Sequence, residues 1–158
     1  MTGALKTRID LSPIAHLQRQ SPQKFARASE QGAIAFLNWC NLGSAKCTRK
    51  PPIRWGVLRG SSSAFVGNKL VLIYPQTLIP GGLEIITPAT SYTTRPTTIT
   101  WVWNTEYARK MHEWGQNPNE SWGETTKQDI DAGNQWLLMH LQKDKDDLMQ
   151  VIAKQFKL

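Results

Sequence analysis

The residue pair that most resembles catalytic machinery is His112 followed by Glu113, in a short amphipathic segment. In one class of zinc hydrolase, two histidines lie one helical turn apart and hold the ion, and the glutamate acts as the general base. Here Gln116 stands where the second histidine is required, and Gly115 would end a helix before a full turn had followed His112. We therefore expect no bound metal at this pair.

Other patterns that indicate catalysis are missing from the sequence. The serines at 61–63 lack the Gly-x-Ser-x-Gly turn that exposes a nucleophile, and Cys40 ends a predicted helix with no histidine near it in the sequence. The phosphate-binding pattern G-x-x-x-x-G-K-[ST] is absent. No pair of carboxylates is spaced to act as general acid and base. The sequence therefore predicts a protein that is not an enzyme and has no cofactor.

The length and composition are those of one globular domain. The chain has 158 residues, of which 40% are hydrophobic and 20% are charged, which is enough to bury a core. No apolar run approaches the roughly 20 residues that cross a bilayer, and the first residues lack the apolar core of a signal peptide. We expect a protein made in a cytoplasm, with no membrane contact and with Cys40 and Cys47 as free thiols.

The net charge of +7 is concentrated in the first 59 residues. They hold ten Lys or Arg against two acidic residues, a balance of +8, whereas the rest of the chain sums to −1. Residues 46–56 combine four cations with two prolines, so they predict an exposed basic loop that faces DNA or an acidic partner. Those cations are Lys46, Arg49, Lys50 and Arg54. A basic face that only aids solubility is the alternative.

Serine–proline pairs at 12–13 and 21–22 predict two helix starts, because serine can cap a helix and proline suits its first position. The second helix is predicted to run from about Pro22 to Asn41, with apolar residues every three or four positions, and to end at Gly43. We expect this helix to pack against a sheet.

From residue 64 onward, the spacing of the apolar residues is typical of β-strands and no longer of helices. Residues 64–74 predict a β-hairpin, since Gly67-Asn68 can supply a tight turn. Residues 83–87 and 98–103 predict two more strands, and the Thr- and Pro-rich segment 88–97 between them predicts a projecting loop. These segments give an antiparallel sheet of about four strands.

A short helix is predicted directly after the last strand. Tyr107, Met111 and Trp114 share one face of it, which we expect to be buried, while Arg109, Lys110 and Glu113 point outward. Further on, an apolar stripe predicts a C-terminal helix that bends or breaks at residues 143–147. The stripe consists of Ile130, Leu137, Leu141, Leu148 and Ile152.

Together these elements predict an α+β fold in which helices flank the antiparallel sheet. We expect a single domain over residues 1–158, with long loops at about 43–56, 88–97 and 115–125.

The order of these elements resembles a family: the small head-tail joining proteins of tailed bacteriophages, also called tail-completion or neck proteins. Their pattern has a Gly-x-Leu-(Arg)-x-Ser turn and, later, a Tyr-Ala segment that leads to Glu and then Gly. The matching positions here are Gly56, Leu58, Arg59, Ser61, Tyr107, Ala108, Glu113 and Gly115. The chain departs from the family at residues 116–128, where many relatives have a Pro-Phe-Leu-Pro turn.

The resemblance implies a structural protein of the virion, located at the neck and made in the host cytoplasm. It implies a homo-oligomeric ring of about six or twelve copies, docked on neighbouring neck, portal-adaptor or tail-tube and terminator proteins, with non-specific contact to the channel DNA. Four residues are then expected at the subunit interface: Tyr107, Arg109, Lys110 and Glu113. The alternative is a small basic accessory protein that binds nucleic acid, whose binding would weaken steeply with salt.

Overall fold

The computed structural model of the protein describes residues 4–51, 57–74, 88–105, 108–109, 112 and 136–156. Within them the chain forms an α+β fold with one four-stranded antiparallel sheet, as predicted. The strands are β1 (Leu5–Asp10), β2 (Ser62–Val66), β3 (Lys69–Ile73) and β4 (Thr98–Trp103). The helices are α1 (Ala15–Gln20), α2 (Pro22–Leu42), α3 (Val57–Gly60), α4 (Trp136–Lys143) and α5 (Lys145–Lys154), and a 3-10 turn at Ser12–Ile14 precedes α1.

The sheet has the strand order β1-β4-β2-β3, so β4 lies in the interior between β1 and β2. The predicted hairpin is confirmed: β2 pairs with β3, and Gly67 turns the chain with a φ of 57°. A Cβ atom at this glycine would lie 3.1 Å from the Cα atom of Pro96. Both the positive φ and this close approach favour glycine at the turn.

The strand β1 was not predicted from the sequence. Its residues alternate between half-buried and exposed, because it is the last strand at one side of the sheet and only one of its faces meets the core. Six residues with three charges give a weak apolar signal. The predicted strand at 83–87 lies outside the described residues, so β1 is the fourth strand of the sheet described here.

Helix α2 covers the inner face of the sheet. The ring centroids of Phe36 and Trp101 are 4.7 Å apart, and the indole N–H of Trp101 donates to the carbonyl of Ala33 at 2.9 Å. The indole N–H of Trp103 donates to Asn41 Oδ1 at 3.2 Å. Both buried tryptophans therefore satisfy their only polar group on α2, which fixes the helix against the sheet.

Both ends of α2 lie close to the predicted positions. The helix begins at Pro22, although the side chain of Ser21 makes no capping hydrogen bond, and it ends before Gly43, which has a φ of 87°. The first predicted start is a 3-10 turn instead, in which the hydroxyl of Ser12 donates to Asp10 at 2.9 Å.

The segment 88–97 packs on the sheet and does not project, which corrects the prediction. Tyr92 lies over Phe65 on the outer face, with ring centroids 5.8 Å apart, and the backbone N–H of Thr94 donates to Asn68 Oδ1 at 2.9 Å. Phe65 is completely buried. An apolar ring on the outer face requires cover, and this segment supplies part of it.

The C-terminal helix is broken as predicted. Helix α4 ends at Lys143 and α5 begins at Lys145, with the buried Asp144 between them. Helix α5 packs against α2, where Gly32 admits the side chains of Leu148 and Ile152. Leu137 of the predicted stripe is buried and Leu141 is partly buried, while Ile130 lies outside the described residues. None of the described helices has the length and apolarity to cross a membrane.

Candidate interaction surface

His112 has an architectural role in this structure. Its ring stands edge-on to Trp136, with centroids 4.9 Å apart, and its Nε2 atom accepts the backbone N–H of Leu138 at 3.3 Å. These contacts tie the segment after β4 to helix α4. Glu113 lies outside the described residues, and among the residues that are described no three His, Cys, Asp or Glu side chains gather as metal ligands.

The predicted subunit interface is described at one position only. Arg109 is exposed, whereas its neighbour Ala108 is fully buried. The backbone N–H of Ala108 donates to the carbonyl of Thr105 at 3.2 Å, which starts a helical turn after β4. Tyr107, Lys110 and Glu113 lie outside the described residues, as do Met111 and Trp114.

The predicted basic loop is anchored to the body of the protein, which corrects the expectation of a freely exposed loop. Lys46 is exposed but forms an ion pair with Asp147 of α5 at 2.9 Å. Arg49 and Lys50 are half-buried, and Arg54 lies outside the described residues. Pro51 is buried, and its carbonyl accepts two hydrogen bonds from the Arg59 guanidinium, at 3.0 and 2.9 Å.

A buried polar cluster holds this loop to the junction of α4 and α5. Its members are Ser44, His140, Asp144 and the carbonyl of Arg49. The hydroxyl of Ser44 donates to Asp144 Oδ1 at 2.6 Å, and the other carboxylate oxygen lies 2.5 Å from His140 Nδ1. His140 Nε2 lies 2.6 Å from the carbonyl oxygen of Arg49. Hydrogen bonds of side chains thereby join positions about a hundred residues apart in the chain.

Both ring nitrogens of His140 have a partner. Nδ1 faces the carboxyl group of Asp144, and Nε2 faces the backbone carbonyl of Arg49. A buried pair of polar side chains such as His140 and Asp144 is strong only while both of its members are present.

The cluster contains a serine, a histidine and an aspartate but does not have the geometry of a hydrolase triad. In such a triad the histidine lies between the serine and the aspartate and takes the proton of the hydroxyl. Here Asp144 lies between Ser44 and His140, and the free nitrogen of the ring is occupied by a backbone carbonyl. The arrangement can clamp a loop, but it cannot activate its serine.

Two thiols lie near this cluster. Cys40 and Cys47 are both buried and free, as predicted. Burial raises the pKa of the Cys40 thiol well above its usual value, and the charges of Asp144 and Cys47 raise it further. Cys40 therefore stays protonated and is a poor nucleophile.

The serines after α3 form a structural corner. Ser61 Oγ donates to the carbonyl of Leu58 at 2.7 Å, and Ser62 Oγ donates to the carbonyl of Arg59 at 2.6 Å. Ser62 Oγ also accepts the side-chain N–H of Asn41 at 2.8 Å. The corner thus satisfies carbonyls at the end of a short helix and connects α3, β2 and α2. The short helix α3 was not predicted from the sequence, and neither were the hydrogen-bond partners of the serines.

No protein-family model, no curated protein and no solved structure matches this chain.

Proposed function

We propose that the protein is a non-enzymatic ring subunit at the head-tail interface of a tailed bacteriophage. It would form a homo-oligomeric ring that joins the portal-side complex to the tail around the DNA channel and docks on neighbouring neck, portal-adaptor or tail-tube and terminator proteins. The observation that supports this most is the corner at residues 57–62. Leu58, Arg59 and Ser61 belong to the first motif of the resemblance and make the hydrogen bonds of this corner. Ser61 Oγ donates to the carbonyl of Leu58, and the Arg59 guanidinium donates to the carbonyl of Pro51 in the preceding loop.

This corner has a mechanical consequence that suits a ring subunit. The Arg59 guanidinium holds the end of loop 43–51, and the buried cluster around Asp144 holds its beginning. A subunit that repeats around an axis presents two different surfaces to its two neighbours, and each has to be held in a fixed position relative to the other. The anchored loop and the exposed Arg109 provide candidate contacts of this kind.

Disruption of the coding sequence in its virus tests the proposal. We expect filled heads and separate tails in electron micrographs, with joined particles restored when the intact protein is supplied in trans. A supplied Lys46→Glu variant should restore fewer particles than a matched Lys69→Glu variant, because both break an exposed ion pair but only Lys46 lies on the anchored loop. Normal numbers of joined particles after disruption would contradict the proposed function.

A second candidate is a small nucleic-acid-binding accessory protein. It is favoured by the exposure of Lys6 and Arg8 on β1. The two candidates differ in their response to salt, because phosphate contacts weaken steeply as salt rises whereas apolar docking between ring subunits does not. Sedimentation of the purified chain with and without DNA, at low and high salt, separates a ring from a DNA-bound monomer.

A further inference from the structure

We infer that one rim of the sheet binds the sugar-phosphate backbone of nucleic acid. The surface, called here the β1 rim, consists of Lys6 and Arg8 on β1 together with Tyr92 and Arg95 on the segment 88–97. The inference deepens the proposed function and rests on it, because it names the surface that would meet the channel DNA. It places the DNA-facing surface on β1, whereas the sequence predicted that the basic loop at residues 46–56 faces DNA or an acidic partner.

Strand geometry places the two β1 cations on the same face. Lys6 pairs with Val102 and Arg8 pairs with Thr100, which are alternate residues of β4. Alternate residues of a strand point to the same side and are about 6.8 Å apart along it. Thr100 is also paired with Phe65, so this side is the outer face, opposite helix α2.

An aromatic ring fixes the position of the first cation. The Lys6 ammonium lies 5.6 Å from the centroid of the Tyr92 ring, within the range of a cation–π contact. Tyr92 is itself held on Phe65. Arg8 is exposed and makes no hydrogen bond or ion pair among the described residues. One cation is therefore preoriented and the next is available to a ligand.

The segment 88–97 adds a third cation. Arg95 is exposed, and its backbone carbonyl accepts the N–H of Thr98 at 3.0 Å, which fixes the chain at this point. The carboxylate of Asp10 lies on the same side of β1 as Lys6 and Arg8 and is close to Arg95. Hydrogen bonds from Ser12 lower the pKa of Asp10, and the charge of Arg95 lowers it further. Among the described residues, the rim therefore combines three cations with a carboxylate that already has hydrogen-bond partners.

A repeating polyanion fits this arrangement better than an acidic protein surface does. The cations at alternate β1 positions are about 6.8 Å apart along the strand, so each can contact a different phosphate of a nucleic acid strand, whose charge repeats along its length. An aromatic ring among cations is typical of surfaces that bind single strands. Several cations elsewhere are already engaged: Lys46 pairs with Asp147, Lys69 pairs with Glu30, and Arg59 is bound to a backbone carbonyl.

Fluorescence polarisation of the purified full chain tests the rim. The probes are a labelled single-stranded oligonucleotide and its duplex, over a series of salt concentrations. Two double variants are compared: Lys6→Glu with Arg8→Glu on the rim, and Arg19→Glu with Arg27→Glu on α1 and α2 as the control. Both change the net charge equally, and all four side chains are exposed. If the change to Glu impairs folding, the same four positions are changed to Gln instead. The rim variant is then Lys6→Gln with Arg8→Gln, and the control is Arg19→Gln with Arg27→Gln.

We expect the rim variant to bind at least about tenfold more weakly and to lose two phosphate contacts. The slope of log K against log salt should then fall in magnitude by about 1.4 for the single strand and about 1.8 for the duplex. The control variant should keep the parental slope. Equal effects of the two variants would overturn the inference, and so would rim-dependent binding of labelled polyglutamate without rim-dependent binding of DNA.

The two proposals fail in different ways. Polarisation with the purified chain reports only the DNA contact, whereas particle joining in the virus reports only the neck function. Unchanged DNA affinity of the rim variant overturns the rim, even where disruption of the coding sequence yields unjoined heads and tails.

Discussion

At the scale of single residues, His140 and Asp144 are the side chains on which the position of loop 43–51 depends most. Both are buried, and together they contact Ser44 and the backbone of Arg49. A buried charged pair adds little net stability compared with apolar residues, because both groups lose water. Loss of one member is costly, since the other is left buried without its partner. The pair therefore specifies where the loop lies more than it stabilises the fold.

We predict that Asp144→Ala lowers the free energy of unfolding by about 3 to 5 kcal/mol, as expected when one member of a buried pair is removed. The measurement is chemical denaturation followed by circular dichroism. Asp146→Ala is the matched control, because Asp146 is exposed in the first turn of α5 and only a helix-dipole contribution of about 0.3 to 1 kcal/mol is lost. Equal losses for the two variants would show that the cluster does not hold the loop.

At the scale of elements, the helices and strands that have a local apolar pattern were predicted from the sequence. Helix α2, the hairpin at Gly67, the strand β4 and the break at residues 143–147 each have a regular apolar pattern or a turn signal. The strand β1 was missed because half of its residues face solvent and its partner β4 is about ninety residues away in the chain. Long-range pairing of this kind leaves no mark in a short stretch of sequence.

The candidate surface was harder to predict than the fold. The cations of residues 46–50 were predicted to be exposed, yet Arg49 and Lys50 are half-buried. The hydrogen bonds of Ser44 and His140 hold their segment against α4 and α5. The packing of segment 88–97 depends on Phe65, whose outward direction follows only from the register of the sheet. The burial of residues 49–50 and the packing of segment 88–97 both depend on side-chain contacts between distant segments. Such contacts cannot be predicted from composition.

The contact between α2 and α5 gives a prediction of its own. A Cβ atom at Gly32 would lie 2.9 Å from Ile152 Cγ1 and 3.2 Å from its Cδ1. Helix propensity alone favours Ala over Gly by about 1 kcal/mol, but overpacking costs about 1 to 3 kcal/mol. We therefore expect Gly32→Ala to lower the free energy of unfolding by up to about 2 kcal/mol, the overpacking cost less the propensity gain, measured by urea denaturation.

The control for this contact is the double variant. Ile152→Ala removes both clashing atoms and should itself cost about 2 to 5 kcal/mol. In that background Gly32→Ala should become stabilising by about 1 kcal/mol, because only the propensity term is left. The same effect of Gly32→Ala in both backgrounds would mean that α5 does not approach α2 this closely.

At the scale of the whole molecule, the strand order makes the first part of the chain essential to the core. Strand β1 pairs with β4 and not with β2, its nearest strand along the chain. All six residues of β4 are buried, and Trp101 and Trp103 of that strand contact α2. Strand β1 is therefore held directly by the most buried strand of the sheet, and the β1 rim is attached to this core.

Amide hydrogen exchange of the purified protein tests this order. Strand β4 has a neighbour on each side, so we expect protection along its whole length, at exchange free energies close to that of global unfolding. In β1, alternate N–H groups point toward β4 and the others point away from it. Among the described residues no strand pairs along the other side of β1, so we expect the protection in Leu5–Asp10 to alternate. Uniform protection would contradict this expectation and would mean that a further strand pairs along that side. Loss of that uniform protection on dilution would identify the strand as part of a second copy of the chain.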